Sequence, residues 1–174
     1  HKMSGLPGLV GTEHVGFTVP DLDAAIRFFT VVIGCTAAYQ IGPFQADDDW
    51  MARQLGVSPR AVIRKLAMLR CKTGPNFELF EYELDGKSDV PPANSDVGGH
   101  HLAFNVADIF AAVDYLKTQG ITVQGNVVTM QDGPSGGLSW VYFLAPWGMQ
   151  LELVSAPQGQ AVTQQDPTSL WVPL

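Results

Sequence analysis

Two histidines and two glutamates, His14, His101, Glu78 and Glu152, carry the chemistry that this 174-residue chain offers most clearly. Imidazole and carboxylate together suit a divalent ion such as Zn, Ni, Co, Fe or Mn, whose charge also offsets the repulsion between two carboxylates. A repeat is what ties the four residues together. Residues 14–25, HVGFTVPDLDAA, align without a gap to residues 101–112, HLAFNVADIFAA, and His, Phe, Val, Asp, Ala and Ala recur in place. The second marker segment, around Glu78-Leu79, resembles the one around Glu152-Leu153. One isolated histidine is more often a hydrogen-bonded core residue, but four residues of ligand type in matching repeat positions favour a metal site. His100 and Glu81 have the wrong strand parity and are set aside.

The elements needed to position these residues follow from periodicity. Residues 14–19 alternate like a strand, so His14, Gly16 and Thr18 share one face, and Val15, Phe17 and Val19 the other. His101, Ala103 and Asn105 repeat the first arrangement. Asp21 is an N-cap for an apolar-periodic helix running to Ile33 and stopped by Gly34; Asp108 opens its counterpart over 109–119. Strands are expected near 35–42, 62–71 and 76–83, and again near 121–129, 138–145 and 149–155. Each copy is thus β-α-β-β-β, an α+β architecture. If the copies pair with approximate two-fold symmetry, the two imidazoles and two carboxylates share one concave side.

These elements divide the chain into a tag remnant and N-terminal segment at 1–10, a first module at 11–84, a linker at 85–98, a second module at 99–156 and a tail at 157–174. The first module carries an extra stretch at about 47–60, where Asp47, Asp48, Asp49 and Trp50 form either a lid or a capped surface helix. The tail ends in Leu170-Trp171-Val172, an apolar anchor that either docks on the body or frays.

The composition is that of a globular protein, 46% hydrophobic and 16% charged. A formal net charge of −7 disfavours nucleic acid as a partner, because the phosphate backbone dominates that affinity. Cys35 and Cys71 are too few for a disulfide framework. With no membrane span and no secretory leader in view, a cytoplasmic protein is expected.

The His-Val-Gly-Phe-Thr-Val-Pro-Asp opening, the Gly-Gly-His-His-Leu-Ala-Phe-Asn-Val start of the second module and the two Glu-Leu strands resemble the vicinal oxygen chelate superfamily, also called the glyoxalase, bleomycin resistance and dioxygenase superfamily. The resemblance runs from about Gly11 to Ser155. It implies tandem β-α-β-β-β modules in a cupped mixed sheet around one divalent metal ion per site, a small oxygenated substrate and a homodimer. It also implies a branch. Glyoxalase-like isomerases, epimerases and lyases use four ligands, and His14, Glu78, His101 and Glu152 supply all four. Extradiol dioxygenases leave the position of Glu78 empty, and antibiotic-binding members lack the ligands.

On the isomerase or lyase reading, the proton beside a coordinated carbonyl is acidified, Glu152 acts as base and Glu78 as the second acid or base. The alternatives are a dioxygenase and a non-catalytic small-molecule binding protein. Trp50, Arg64, Met68, Asn105 and Trp140 are the candidate substrate contacts. Arg64 belongs to a basic run, Arg53, Arg60, Arg64, Lys65, Arg70 and Lys72, that is either an anion grip or a solvated face.

Overall fold

The structure, a computed structural model, describes residues 5–173, so His1 and the rest of the tag remnant lie outside the described residues. The chain forms two compact units: one of residues up to 30 with 34–85, the other of 31–33 with the chain from 86 onward. Both contain the β-α-β-β-β order that the repeat implies.

The first unit holds β1 (His14–Thr18), α1 (Leu22–Arg27), β2 (Thr36–Ile41), α2 (Trp50–Leu55), β3 (Val62–Arg70) and β4 (Asn76–Glu83). Its sheet has the order β1-β4-β3-β2. The outer pair β1 and β4 is parallel, because the chain crosses over through α1; the other pairs are antiparallel. Phe17, Phe29 and Phe77 interlock beneath this sheet, with Phe29 edge-on to Phe77 at 5.2 Å. Leu22, Ala25, Ala67, Leu69 and Leu79 complete the buried layer. Val15, on the same strand face as Phe17, is half-exposed on the edge strand.

The second unit holds β5 (Leu102–Asn105), α3 (Ile109–Thr118), β6 (Val123–Thr129), β7 (Ser139–Leu144), β8 (Gln150–Ser155) and α4 (Ala161–Gln165). The sheet order is β5-β8-β7-β6, with β5 and β8 parallel, repeating the first unit strand for strand. Ile109, Val113 and Leu116 of α3 are buried, as are Val141, Phe143, Leu151 and Leu153.

Asp21 and Asp108 cap α1 and α3 as expected: Asp21 accepts from the Ala24 N–H at 3.1 Å, and Asp108 from those of Phe110 and Ala111, also at 3.1 Å. The helix expected to run unbroken to Ile33 instead becomes a π-helical turn from Phe28 to Ile33. Four successive β-branched residues, Thr30 to Ile33, occupy this wider turn, and the Thr30 hydroxyl donates back to the Ile26 carbonyl. Gly34 ends it at φ 100°, and its N–H bonds to the Phe29 carbonyl five residues back.

Two peripheral segments refine the expectations. In the extra stretch, Met51 of α2 is fully buried and Trp50 packs edge-on to Phe44 at 5.4 Å, an anchored helix rather than a free flap. The chain reaches it through Gly42, at φ 137°, where a Cβ would lie 2.4 Å from the Arg64 carbonyl oxygen; only glycine passes there. The tail attaches through an element not foreseen, α4: the N–H groups of Ala161 and Val162 bond to the carbonyls of Gly136 and Pro134. Trp171 stays 65% exposed, so the apolar tail end does not dock among the described residues.

Because Phe29 is fully buried against Phe17 and Phe77, Phe29→Ala is expected to destabilise the protein by about 3–5 kcal/mol. Asp108→Ala, which removes a cap only, is expected to cost about 1 kcal/mol. Urea unfolding of both variants checks the ranking; equal losses would contradict it.

Candidate active site

Strand pairing sets up each His–Glu couple. In the first unit Gly16 lies opposite Glu78 on the parallel neighbour, and Glu78 lies opposite Met68 on β3. Opposed residues in a ladder point to the same face, so Glu78 leaves the Phe77–Leu79 core layer and rises on the open side. His14, two residues before Gly16, rises with it, and its Nε2 stands 3.4 Å from Glu78 Oε1. Gly16 keeps this corner open. A Cβ there would meet only ordinary contacts at 3.8 Å, consistent with alanine at the equivalent position in the second unit.

The second unit repeats the arrangement. Ala103 lies opposite Glu152, and Glu152 opposite Tyr142 on β7. His101 Nε2 stands 3.2 Å from Glu152 Oε1. The two carboxylates are mostly enclosed, with 19% and 15% of the Glu78 and Glu152 side chains exposed, while the imidazoles are more open at 41% and 34%. Each unit therefore holds one nitrogen and one carboxylate donor face to face. Among the described residues no group of three or more His, Cys, Asp or Glu side chains is disposed to hold a metal ion.

Different neighbours support the two couples. Glu13 hydrogen-bonds His14 Nδ1, and the Asn76 side-chain amide donates to Glu13 Oε1 at 3.3 Å. The Nδ1 side of His14 is thus held by a carboxylate while Nε2 faces Glu78, the pattern that orients a metal-ligating histidine. The Glu13 bond is also the main reason the His14 pKa is raised above its usual range. At His101 the neighbour is Tyr142, whose hydroxyl lies 3.5 Å from Nε2 and whose ring meets the imidazole edge-on at 5.0 Å. Burial, with the charge of Glu152 adding to it, raises the Tyr142 pKa, so the phenol keeps its proton and remains a donor. Tyr82, under the same influences from burial and Glu78, is shifted the same way.

The candidate substrate contacts separate. Met68 is directly across from Glu78. Trp140 sits one alternation from Tyr142, edge-on to it at 5.7 Å, and its indole N–H donates to the Met130 sulfur at 3.4 Å. Asn105 pairs opposite Val154, on the same strand face as His101. Trp50 is engaged with Phe44, and among the described residues no ring contact, hydrogen bond or ion pair joins it to the His14–Glu78 couple.

Arg64 faces away from that couple. The β3 ladder shifts register between Ile63 and Lys65, so one extra residue breaks the alternation there. Arg64 Nε bonds Glu81 Oε2 at 2.9 Å, while the other Glu81 oxygen accepts from the Leu22 N–H at the start of α1. Lys65 pairs with Asp23 and Arg53 with Asp49, so half of the six-residue basic run is committed to acidic partners. That half is a paired surface rather than an anion grip. Tyr142, beside His101, is absent from the candidate contacts drawn from the sequence. The available signal was its offset of 74 residues from Met68, the same offset that relates Glu152 to Glu78.

Burial is the largest influence on Glu152 and raises its pKa above the ordinary 4.5, against the opposing pull of His101. The folded state therefore holds this proton to higher pH than the unfolded chain does. Its contribution to stability falls as pH rises from about 4.5 through the folded pKa. In metal-free protein, Glu152→Gln is expected to flatten the decline of the urea midpoint over that window; an unchanged slope would show that the carboxyl is not strained by burial.

Comparison with known proteins places this geometry. A family model described as Glyoxalase/Bleomycin resistance protein/Dioxygenase superfamily matches residues 13–135. A 2-epi-5-epi-valiolone epimerase from Actinomyces sp is 49% identical over 170 residues, which cover 97% of this chain and 92% of that protein. Among solved structures, a glyoxalase family protein from Bacillus cereus matches with a TM-score of 0.67 at 21% identity, over 87% of this chain and 98% of its own. The trypanothione-dependent glyoxalase I of Leishmania major matches with a TM-score of 0.55 at 17% identity, over 91% and 92%. Such identities speak for the fold, whereas the epimerase speaks for the type of reaction. The chain belongs to the glyoxalase, bleomycin resistance protein and dioxygenase superfamily, and it is an enzyme of the isomerase and epimerase type.

Proposed function

We propose that the protein inverts a carbon next to the carbonyl of a polyhydroxylated cyclic ketone of the 2-epi-5-epi-valiolone kind. The observation that carries this reading is the duplicated couple: in each unit a mostly enclosed carboxylate stands within 3.4 Å of an imidazole nitrogen. The kinship to a named epimerase supplies the substrate class.

Inversion beside a carbonyl asks for a group that removes the α-proton and a group that delivers one to the opposite side. Glu152 is assigned the first task, because burial already favours its protonated form and so makes it a better proton acceptor. Glu78, built into its strand in the same way, is the second acid or base. His14 and His101 hold these carboxylates in place, and the Tyr142 hydroxyl, kept protonated, is a donor for a substrate oxygen.

The donor types in each couple are ones that a divalent ion takes. Each couple pairs a nitrogen with a carboxylate, and the Glu13–His14 bond on Nδ1 is the outer support such a ligand uses. Within each unit, His14 with Glu78 and His101 with Glu152 are the residues that would hold such an ion. Bound there, a Zn, Ni, Co, Fe or Mn ion would supply Lewis-acid stabilisation for the charge that develops on the carbonyl oxygen.

Two measurements test the proposal. In D2O, turnover of 2-epi-5-epi-valiolone is expected to place one deuterium on the inverted carbon, and Glu152→Gln and Glu78→Gln are each expected to lower kcat by about 10²–10⁴-fold without changing the circular dichroism spectrum. Product without solvent deuterium, or a Glu152→Gln variant of full activity, would overturn the assignment. Removal of metal with a chelator is expected to abolish turnover, and one ion from the set above to restore it; full activity after verified metal removal would refute the dependence.

A further inference from the structure

The two cysteines, which take no part in the site above, meet across the end of a strand pair. Thr36 at the start of β2 is opposite Arg70 at the end of β3 in the antiparallel ladder. One residue further out, Cys35 and Cys71 are therefore brought face to face. Opposed residues in such a ladder have Cα atoms about 4.5–5.5 Å apart, inside the roughly 4.4–6.8 Å range that a disulfide spans. Each thiol perturbs the other: the pair raises the Cys35 pKa and lowers that of Cys71. Neither position is loose. The Cys35 N–H is tied to the Phe29 carbonyl at 2.8 Å, and Cys71 opens the turn that leads into β4.

We propose that Cys35 and Cys71 form an oxidative modification site, closing reversibly to a disulfide when the protein meets a peroxide. Division of labour between them follows from their surroundings. Cys35 is buried, whereas Cys71 is half-buried and open to a small oxidant. The neighbouring Cys35 thiol and the charge of Lys72 both lower the Cys71 pKa and so favour its thiolate, the nucleophilic form. That thiolate attacks one peroxide oxygen: the S–O bond forms, the O–O bond breaks, and hydroxide leaves, giving a sulfenic acid. The Cys35 sulfur then attacks the Cys71 sulfur; the S–S bond forms, the S–O bond breaks, and water departs with the Cys35 proton. The two sulfurs lose two electrons and the peroxide gains them. The bridge closes a ring over β2, α2 and β3, the strand on which Met68 lies across from Glu78.

Treatment of the full-length protein with hydrogen peroxide tests this by thiol titration under denaturing conditions and by peptide mapping without reductant. Both thiols are expected to disappear together into one intramolecular peptide pair joining Cys35 to Cys71, and dithiothreitol is expected to restore both. Cys35→Ala is expected to leave Cys71 as a sulfenic acid that a dimedone probe traps. Oxidation of Cys71 to sulfinic acid with Cys35 still free, a bridge between two protein molecules, or two untouched thiols at peroxide concentrations that oxidise free cysteine would each overturn the proposal. These readouts do not depend on turnover, so they stand whatever the enzyme's substrate.

Discussion

Both His–Glu couples depend on the registered pairing of a short parallel strand with the last strand of its module. Parallel pairing of β1 with β4 sets Gly16 beside Glu78, and pairing of β5 with β8 sets Ala103 beside Glu152. Side chains alternate along both partners, so the register that buries Phe17 with Phe77 also lifts His14 toward Glu78. A slip of one residue would send the glutamate into the aromatic core and a phenylalanine into the site. Packing therefore enforces the chemistry: the hydrophobic layer fixes which side each polar group occupies.

The two couples are alike in their ligand types and unlike in their support. His14 is held by a carboxylate, itself anchored by Asn76, while His101 is flanked by a phenol and, beyond it, an indole. The first arrangement orients an imidazole electrostatically. The second leaves a neutral donor and aromatic surface beside it.

The excess negative charge has a distributed meaning. Asp23, Asp49 and Glu81 are spent on Lys65, Arg53 and Arg64, so much of the basic run is held on its own surface. The exposed pairs Arg53–Asp49 and Lys65–Asp23 contribute little to stability, whereas the Glu81 carboxylate is mostly enclosed.

The sequence by itself determined the repeat, the element order and the faces of the key strands, because periodicity and capping are local properties that the chain states openly. Asp21 and Asp108 cap where their positions said they would, and Phe17, Leu79, Leu151 and Leu153 are buried as strand parity required. Tertiary structure decided what depends on a partner strand or on crowding. A register shift turned Arg64 toward Glu81, four β-branched residues opened the end of the first helix into a π turn, and the tail attached through backbone bonds of α4 instead of through Trp171. Tyr142 belongs with these. Its phenol reaches His101 only because β7 pairs with β8 in one register, and pairing between segments distant in sequence leaves no trace in either segment alone.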